Sequence, residues 1–171
     1  MTISKRIGTS WTNSARANSL LLFLSAGFGL GRLPYGREIF GSFFGLLLCF
    51  GTRGQSPVFQ IVFFLLFTLC SIGLAERAEQ IRREKDPDFI ILGETCGVWT
   101  SFLLLGSPTL PMICTGLLLF HLFNRLKFFP LNVFSSFRGG LGVVLDDFAA
   151  GMMINTLLRF FLFLGFLSAG I

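Results

Sequence analysis

Apolar residues come in runs separated by short polar stretches, and the run lengths set the first expectations. Val58 to Ala75 is a nearly unbroken apolar run closed by Glu76 and Arg77. Its length approaches the roughly 20 residues needed to cross a bilayer, so it predicts a membrane-spanning helix. The segment 76–88 alternates acids and bases at helical spacing and predicts a solvated extension of that helix, which Pro87 stops. Phe89 to Leu105 predicts a second span interrupted by Glu94, Met112 to Phe123 a third, and Met152 to Ile171 a last one containing Arg159. Leu20 to Gly31 and Phe40 to Gly51 are apolar but too short to span. The first fits a re-entrant segment, an interfacial helix or a signal-peptide core. Its glycines, Gly27, Gly29 and Gly31, lead into Arg32-Leu33-Pro34 and then Gly41-Ser42, which suits a sharply bent working loop better than a discarded leader. The expected fold is an all-α integral membrane protein with about four membrane-spanning helices plus a re-entrant N-terminal segment. A polar basic arm over 1–17 precedes a single membrane-embedded domain over 18–171.

Composition strengthens the membrane reading: 53% of the 171 residues are hydrophobic, 23 are Phe, and only 13% are charged, against about 25% charged in soluble domains. The net charge of +5 would suit nucleic acid if basic residues interleaved with aromatics on a soluble face. Instead they gather in polar links, at Lys5, Arg6 and Arg16, at Arg32 and Arg37, at Arg77 to Lys85, and at Arg125, Lys127 and Arg138. That distribution excludes a nucleic-acid partner and suits the cytoplasmic leaflet with its anionic lipids. Placing these links inside, and 51–57 and 106–111 outside, brings Glu94, Asn124, Lys127, Asp146 and Asp147 to one depth near the cytoplasmic boundary. Four cysteines without a CxxC pair, beside a single histidine, argue against a zinc site or a disulfide framework. No internal repeat supports a transporter, and oligomeric state is left open.

Of the nine acids, Glu76, Glu79, Glu84, Asp86 and Asp88 read as solvated, and Glu38 as ambiguous in its loop. Glu94, Asp146 and Asp147 lie in apolar sequence, where a carboxylate is a functional candidate by default. Burying them requires a partner cation, a proton or water. With the amide oxygen of Asn124 they form a hard oxygen-donor set, for which Mg²⁺ is the natural occupant. Around them stand Arg125, Lys127 and Arg138, with Gly139, Gly140 and Gly142 exposing backbone N–H groups. Metal ligands, cations and open amides together suit phosphoryl chemistry, and at a membrane surface the phosphate belongs to a lipid headgroup. The structural alternatives are that the two aspartates cap the last helix, that Glu94 pairs with a buried base such as Arg159, and that His121 is a satisfied histidine near a helix end.

The order and spacing of four motifs carry a resemblance. They are Gly27-Phe-Gly-Leu-Gly-Arg-Leu-Pro34 with Gly41-Ser42, Asp88-Phe-Ile-Ile-Leu-Gly-Glu94, Phe120-His-Leu-Phe-Asn124-Arg-Leu-Lys127, and Gly139-Gly-Leu-Gly-Val-Val-Leu-Asp146-Asp147-Phe-Ala-Ala-Gly151. Over roughly residues 20 to 155 the chain resembles the phosphatidylglycerophosphatase A family. The resemblance implies a Mg²⁺-dependent, multi-pass enzyme of the bacterial cytoplasmic (inner) membrane, its active site facing the cytoplasm. It would hydrolyse phosphatidylglycerol phosphate, an anionic phospholipid, to phosphatidylglycerol and phosphate in phospholipid biosynthesis. The implied catalytic set is Glu94, Asp146, Asp147 and Lys127. The metal set is Glu94, Asn124, Asp146 and Asp147, and the phosphate set is Arg32, His121, Lys127, Arg138, Gly139 and Gly140. The chain departs from the family pattern at Gly93, His121 and Asn124, where the family usually has an acid, an arginine and an aspartate. Fewer carboxylates imply a weaker metal site. A non-catalytic relative that binds anionic lipid is the competing expectation.

Overall fold

The computed structural model describes residues 16–126, 131 and 137–165, and among these it is helical with no β-strand. A helix over 16–25 (α1) ends in a turn where Gly27, Phe28 and Gly29 all take positive φ, the sharp bend that the closely spaced glycines had predicted. A single 3-10 turn at Leu30–Arg32 follows. Then come α2 (Gly36–Thr52), α3 (Pro57–Arg82), α4 (Leu92–Phe102), α5 (Leu110–Leu126) and α6 (Gly140–Phe163). The N-terminal arm lies almost wholly outside the described residues.

Helices α3 and α6 are long and apolar enough to cross a membrane. The expected span over Phe89 to Leu105 is instead α4, eleven residues long, every one of them buried. At about 1.5 Å per residue it covers roughly 17 Å, too little for a bilayer. It is the core helix of the domain, packed chiefly between α6 and α2. Helix α5, at 17 residues, extends beyond the expected run Met112 to Phe123 at both ends but is still shorter than the roughly 20 residues of a full span.

Small residues make this arrangement possible. A Cβ at Gly41 would sit 2.7 Å from Cβ of Glu94, and one at Gly45 would sit 2.8 Å from the Thr95 carbonyl. Gly41 therefore serves close helix packing within α2, not the bent loop that sequence suggested. On the other side, a Cβ at Gly93 or Gly97 would meet α6 at Asp147, and one at Gly151 would meet the Gly97 carbonyl. Glycines four apart thus let both neighbours approach α4 at backbone distance. Trp99 fills the centre, with Phe64 at 5.2 Å in an edge-to-face arrangement and Phe102, Phe120 and Leu158 in the same cluster. Cys49 and Cys96 are free and buried, and Cys70 and Cys114 are free and exposed.

Two side chains close helix ends in trans. Asn155 of α6 donates its amide to the carbonyls of Thr100, Ser101 and Leu103 at 3.0–3.1 Å, and Arg159 donates to Leu103 and Leu104 at 3.2 and 3.0 Å. These serve the orphan carbonyls at the α4 C-terminus. Arg159 therefore works at the opposite end of α4 from Glu94, and the two are not partners. At the start of α6, Gly140 N–H donates to Glu76 Oε2 at 2.7 Å. Glu76 is thus the acid at this helix N-terminus. Asp146 and Asp147 lie well inside α6, so the capping alternative fails for them.

Candidate active site

Glu94 sits in the first turn of α4 and Asp147 two turns into α6, each exposing only a percent or two of its surface. Helix α5 supplies the groups between them. Asn124 Nδ2 donates to Asp147 Oδ1 at 2.6 Å, and His121 Nδ1 stands 3.2 Å from Glu94 Oε1. The other ring nitrogen of His121, Nε2, lies 3.1 Å from Ser42 Oγ on α2. The histidine thus bridges α2 to α4, and its position is set by both neighbours. The contact to Glu94 is close but not aligned as a hydrogen bond, so Glu94 Oε1 and Asp147 Oδ2 remain buried carboxylate oxygens without a hydrogen-bond donor.

The charge that faces them comes from a residue that sequence reasoning missed. Arg37, in the first turn of α2, donates to Asp86 at 2.9 Å and places Nη2 3.9 Å from Asp147 Oδ2. Arg37, Gly41 and Gly45 recur every fourth residue, so they share the face of α2 that packs on α4. That spacing was the available signal. Asp86 and Glu79 are corrected with it. Asp86 holds Arg37, and its backbone N–H donates to Glu79 Oε1 at 2.6 Å, so with Glu76 three of the five "solvated" acids carry structural contacts.

Asp146, next to Asp147 on α6, is buried as well, its side chain leaving the helix about 100° from that of Asp147. The remaining expected site residues fall elsewhere. Among the described residues no group of three or more His, Cys, Asp or Glu side chains is arranged to hold a metal ion. The Gly140 amide, expected to face phosphate, is taken by Glu76, and a Cβ on Gly139 would strike the same carboxylate. Arg138 faces a separate hollow of about 300 Å³ beside Glu79 and Lys85. Arg32 lines a larger cleft, about 760 Å³, whose wall also includes Arg37. Lys127 lies outside the described residues.

The donor chemistry fits Mg²⁺ in one respect. The buried carboxylates of Glu94 and Asp147, with open oxygens, suit a cation that takes one or two protein carboxylates and fills its shell with phosphate and water. It does not fit a cation needing an all-protein cage. Gly93 explains part of the thinning, because a Cβ there would stand 2.5 Å from both Asp147 Oδ2 and the Val143 carbonyl.

Comparison with known proteins matches residues 23–162 to the family described as phosphatidylglycerophosphatase A. The chain belongs to that family. The match spans every helix of the site, from α2, which carries Arg37 and Ser42, to α6, which carries Asp147. A curated relative from Bacteroides thetaiotaomicron, provisionally named a phosphatidylinositol-3-phosphatase, is 25% identical over 144 residues, covering 80% of this chain and 90% of the relative. No solved structure matches the chain. Membership in the phosphatidylglycerophosphatase A family supports a lipid phosphatase, and the apolar helices of spanning length agree with membrane association.

Proposed function

We propose that this chain is a Mg²⁺-dependent phosphomonoesterase acting on phosphatidylglycerol phosphate, embedded in the bacterial cytoplasmic membrane with its site toward the cytoplasm. The observation that carries the reading is the pair of buried carboxylates, Glu94 and Asp147, each with an open oxygen, that of Asp147 standing 3.9 Å from the Arg37 guanidinium. Glu94 and Asp147 would hold the metal, which when bound supplies positive charge to the phosphate and an activated water. The chain's own residues do the rest. Asn124 occupies Oδ1 of Asp147 and leaves Oδ2 directed into the site. His121, braced by Ser42, sets the position of the Glu94 carboxylate. Arg37, clamped by Asp86, meets the phosphate oxygens as a planar donor. Asp146 and Lys127 keep their expected catalytic roles within this proposal, with Lys127 on the phosphate.

The test is phosphate release by the purified full chain with Mg²⁺ or with chelator, on phosphatidylglycerol phosphate and, because of the curated relative, on phosphatidylinositol 3-phosphate. Asp147→Asn is expected to lower release at least about 100-fold, the scale of losing one transition-state charge interaction. Release from neither lipid by the unmodified chain would leave the non-catalytic, lipid-binding alternative. Release from the inositol lipid alone would move the substrate, and equal release with chelator would remove the metal.

A further inference from the structure

The cleft of about 760 Å³ runs between the 31–38 turn and the 82–89 loop. Its walls are held together closely: a Cβ on Gly31 would strike the Phe89 carbonyl, and Ile91 N–H donates to the Ser25 carbonyl at 3.2 Å. From one wall Arg32 reaches the Phe89 ring with its guanidinium carbon 5.9 Å from the centroid. From the other Arg82 does the same at 5.8 Å. Two like charges are thus gathered around one aromatic ring. Carboxylates line the cleft as well, yet among the described residues none comes within ion-pair distance of either arginine. Glu38 is turned toward Arg125, at 3.4 Å. Arg37, the third arginine of the wall, is already engaged by Asp86 and faces Asp147. Leu33 and Tyr35 line the cleft as well, 52% and 75% exposed.

Two arginines without counter-ions, stacked on a phenyl ring beside the exposed Leu33 and Tyr35, form a receptor for an anion that carries a hydrocarbon tail. From this arrangement we infer that the cleft binds the phosphodiester of a glycerophospholipid, with Arg32 and Arg82 on its oxygens and Leu33 and Tyr35 against the start of the acyl region. A headgroup bearing a terminal monoester as well would then lie with its diester at Arg32 and Arg82 and its monoester past Arg37 at Glu94 and Asp147. That orientation rests on the phosphatase reading; the diester site does not. The consequence is selection for lipids with two phosphates over phosphatidate, which has only one.

Binding of monomeric dihexanoyl-phosphatidylglycerol, which has the diester and no monoester, tests the site by calorimetry on the full chain in detergent. Arg32→Gln with Arg82→Gln is expected to weaken binding at least about tenfold, through loss of two charge-assisted contacts. Arg53→Gln, at the far end of α2, should stay within about twofold. The single variants R32Q and R82Q, each expected to lose roughly threefold, carry the test if the double variant does not fold. Unchanged affinity in these variants overturns the inference. So does inorganic phosphate competing as tightly as the lipid, because the cleft would then be a free-phosphate site. If the unmodified chain releases no phosphate from any lipid while diester binding still depends on Arg32 and Arg82, the site stands and the phosphatase reading falls. If release proceeds with unchanged KM in the double variant, the reverse holds.

Discussion

Gly93 offers a direct test of how closely α4 and α6 pack at this site. An added Cβ would sit 2.5 Å from Asp147 Oδ2 and 2.5 Å from the Val143 carbonyl, about 1 Å inside ordinary carbon–oxygen contact. The Asp147 side chain can turn, but the Val143 carbonyl is part of α6 and cannot, so Gly93→Ala must push α4 and α6 apart. Overpacking of this kind costs about 1–3 kcal/mol. Moving Asp147 also disturbs its 2.6 Å hydrogen bond from Asn124, a charged bond contributing about 1.5–3 kcal/mol. Replacing a helical glycine by alanine returns about 1 kcal/mol. A net destabilisation of about 2 kcal/mol corresponds to a fall in Tm of about 4–8 °C for a chain of this size. Gly73 in α3 is the matched control, because nothing lies within 4 Å of an added Cβ. Gly73→Ala should therefore hold or raise Tm, gaining at most about 1 kcal/mol. Thermal unfolding of the purified full chain in detergent, followed by far-UV circular dichroism, reads both. A Gly93→Ala protein melting at or above the unmodified one, or an equal loss from Gly73→Ala, would refute the close-packing argument.

Two further outcomes follow from single contacts. Asn124→Asp places a second carboxylate where Nδ2 now donates to Asp147 at 2.6 Å. Two like charges at that separation need a cation or a proton, so the variant should melt several degrees lower in chelator than in Mg²⁺, a wider gap than the unmodified protein shows. Asn155→Leu removes the donor shared by the carbonyls of Thr100, Ser101 and Leu103. Leaving such acceptors unsatisfied costs about 1–3 kcal/mol, read as a Tm fall of roughly 2–12 °C, and an unchanged Tm would show that water replaces the amide.

Length and periodicity made α3 legible from the sequence, because a long unbroken apolar run has few other solutions. The bend at 27–29 was legible as well, since closely spaced glycines favour backbone that other residues avoid. Hydropathy could not distinguish α4 from a span, because a helix buried on all sides by protein and one surrounded by lipid have the same apolar composition. Only its eleven-residue length and its neighbours decide the matter. The same limit applies to charge. Glu76, Asp86 and Arg37 sit in sequence that reads as solvated, and their roles come from partners 64, 49 and 110 residues away in Gly140, Arg37 and Asp147.

By itself the sequence determined that Glu94, Asp146 and Asp147 are acids in an apolar setting, and its motifs pointed to a family that the matched residues 23–162 then showed. Tertiary structure decided which of their neighbours matter. It turned Asp147 toward Asn124 and Arg37, gave Glu94 to His121, left Arg159 to the far end of α4, and closed the Gly140 amide with Glu76. The physical reason is one of range. Hydrophobic burial and glycine geometry act on residues a few positions apart and can be read along the chain, whereas the choice of counter-ion for a buried carboxylate depends on which helix ends the packing brings together.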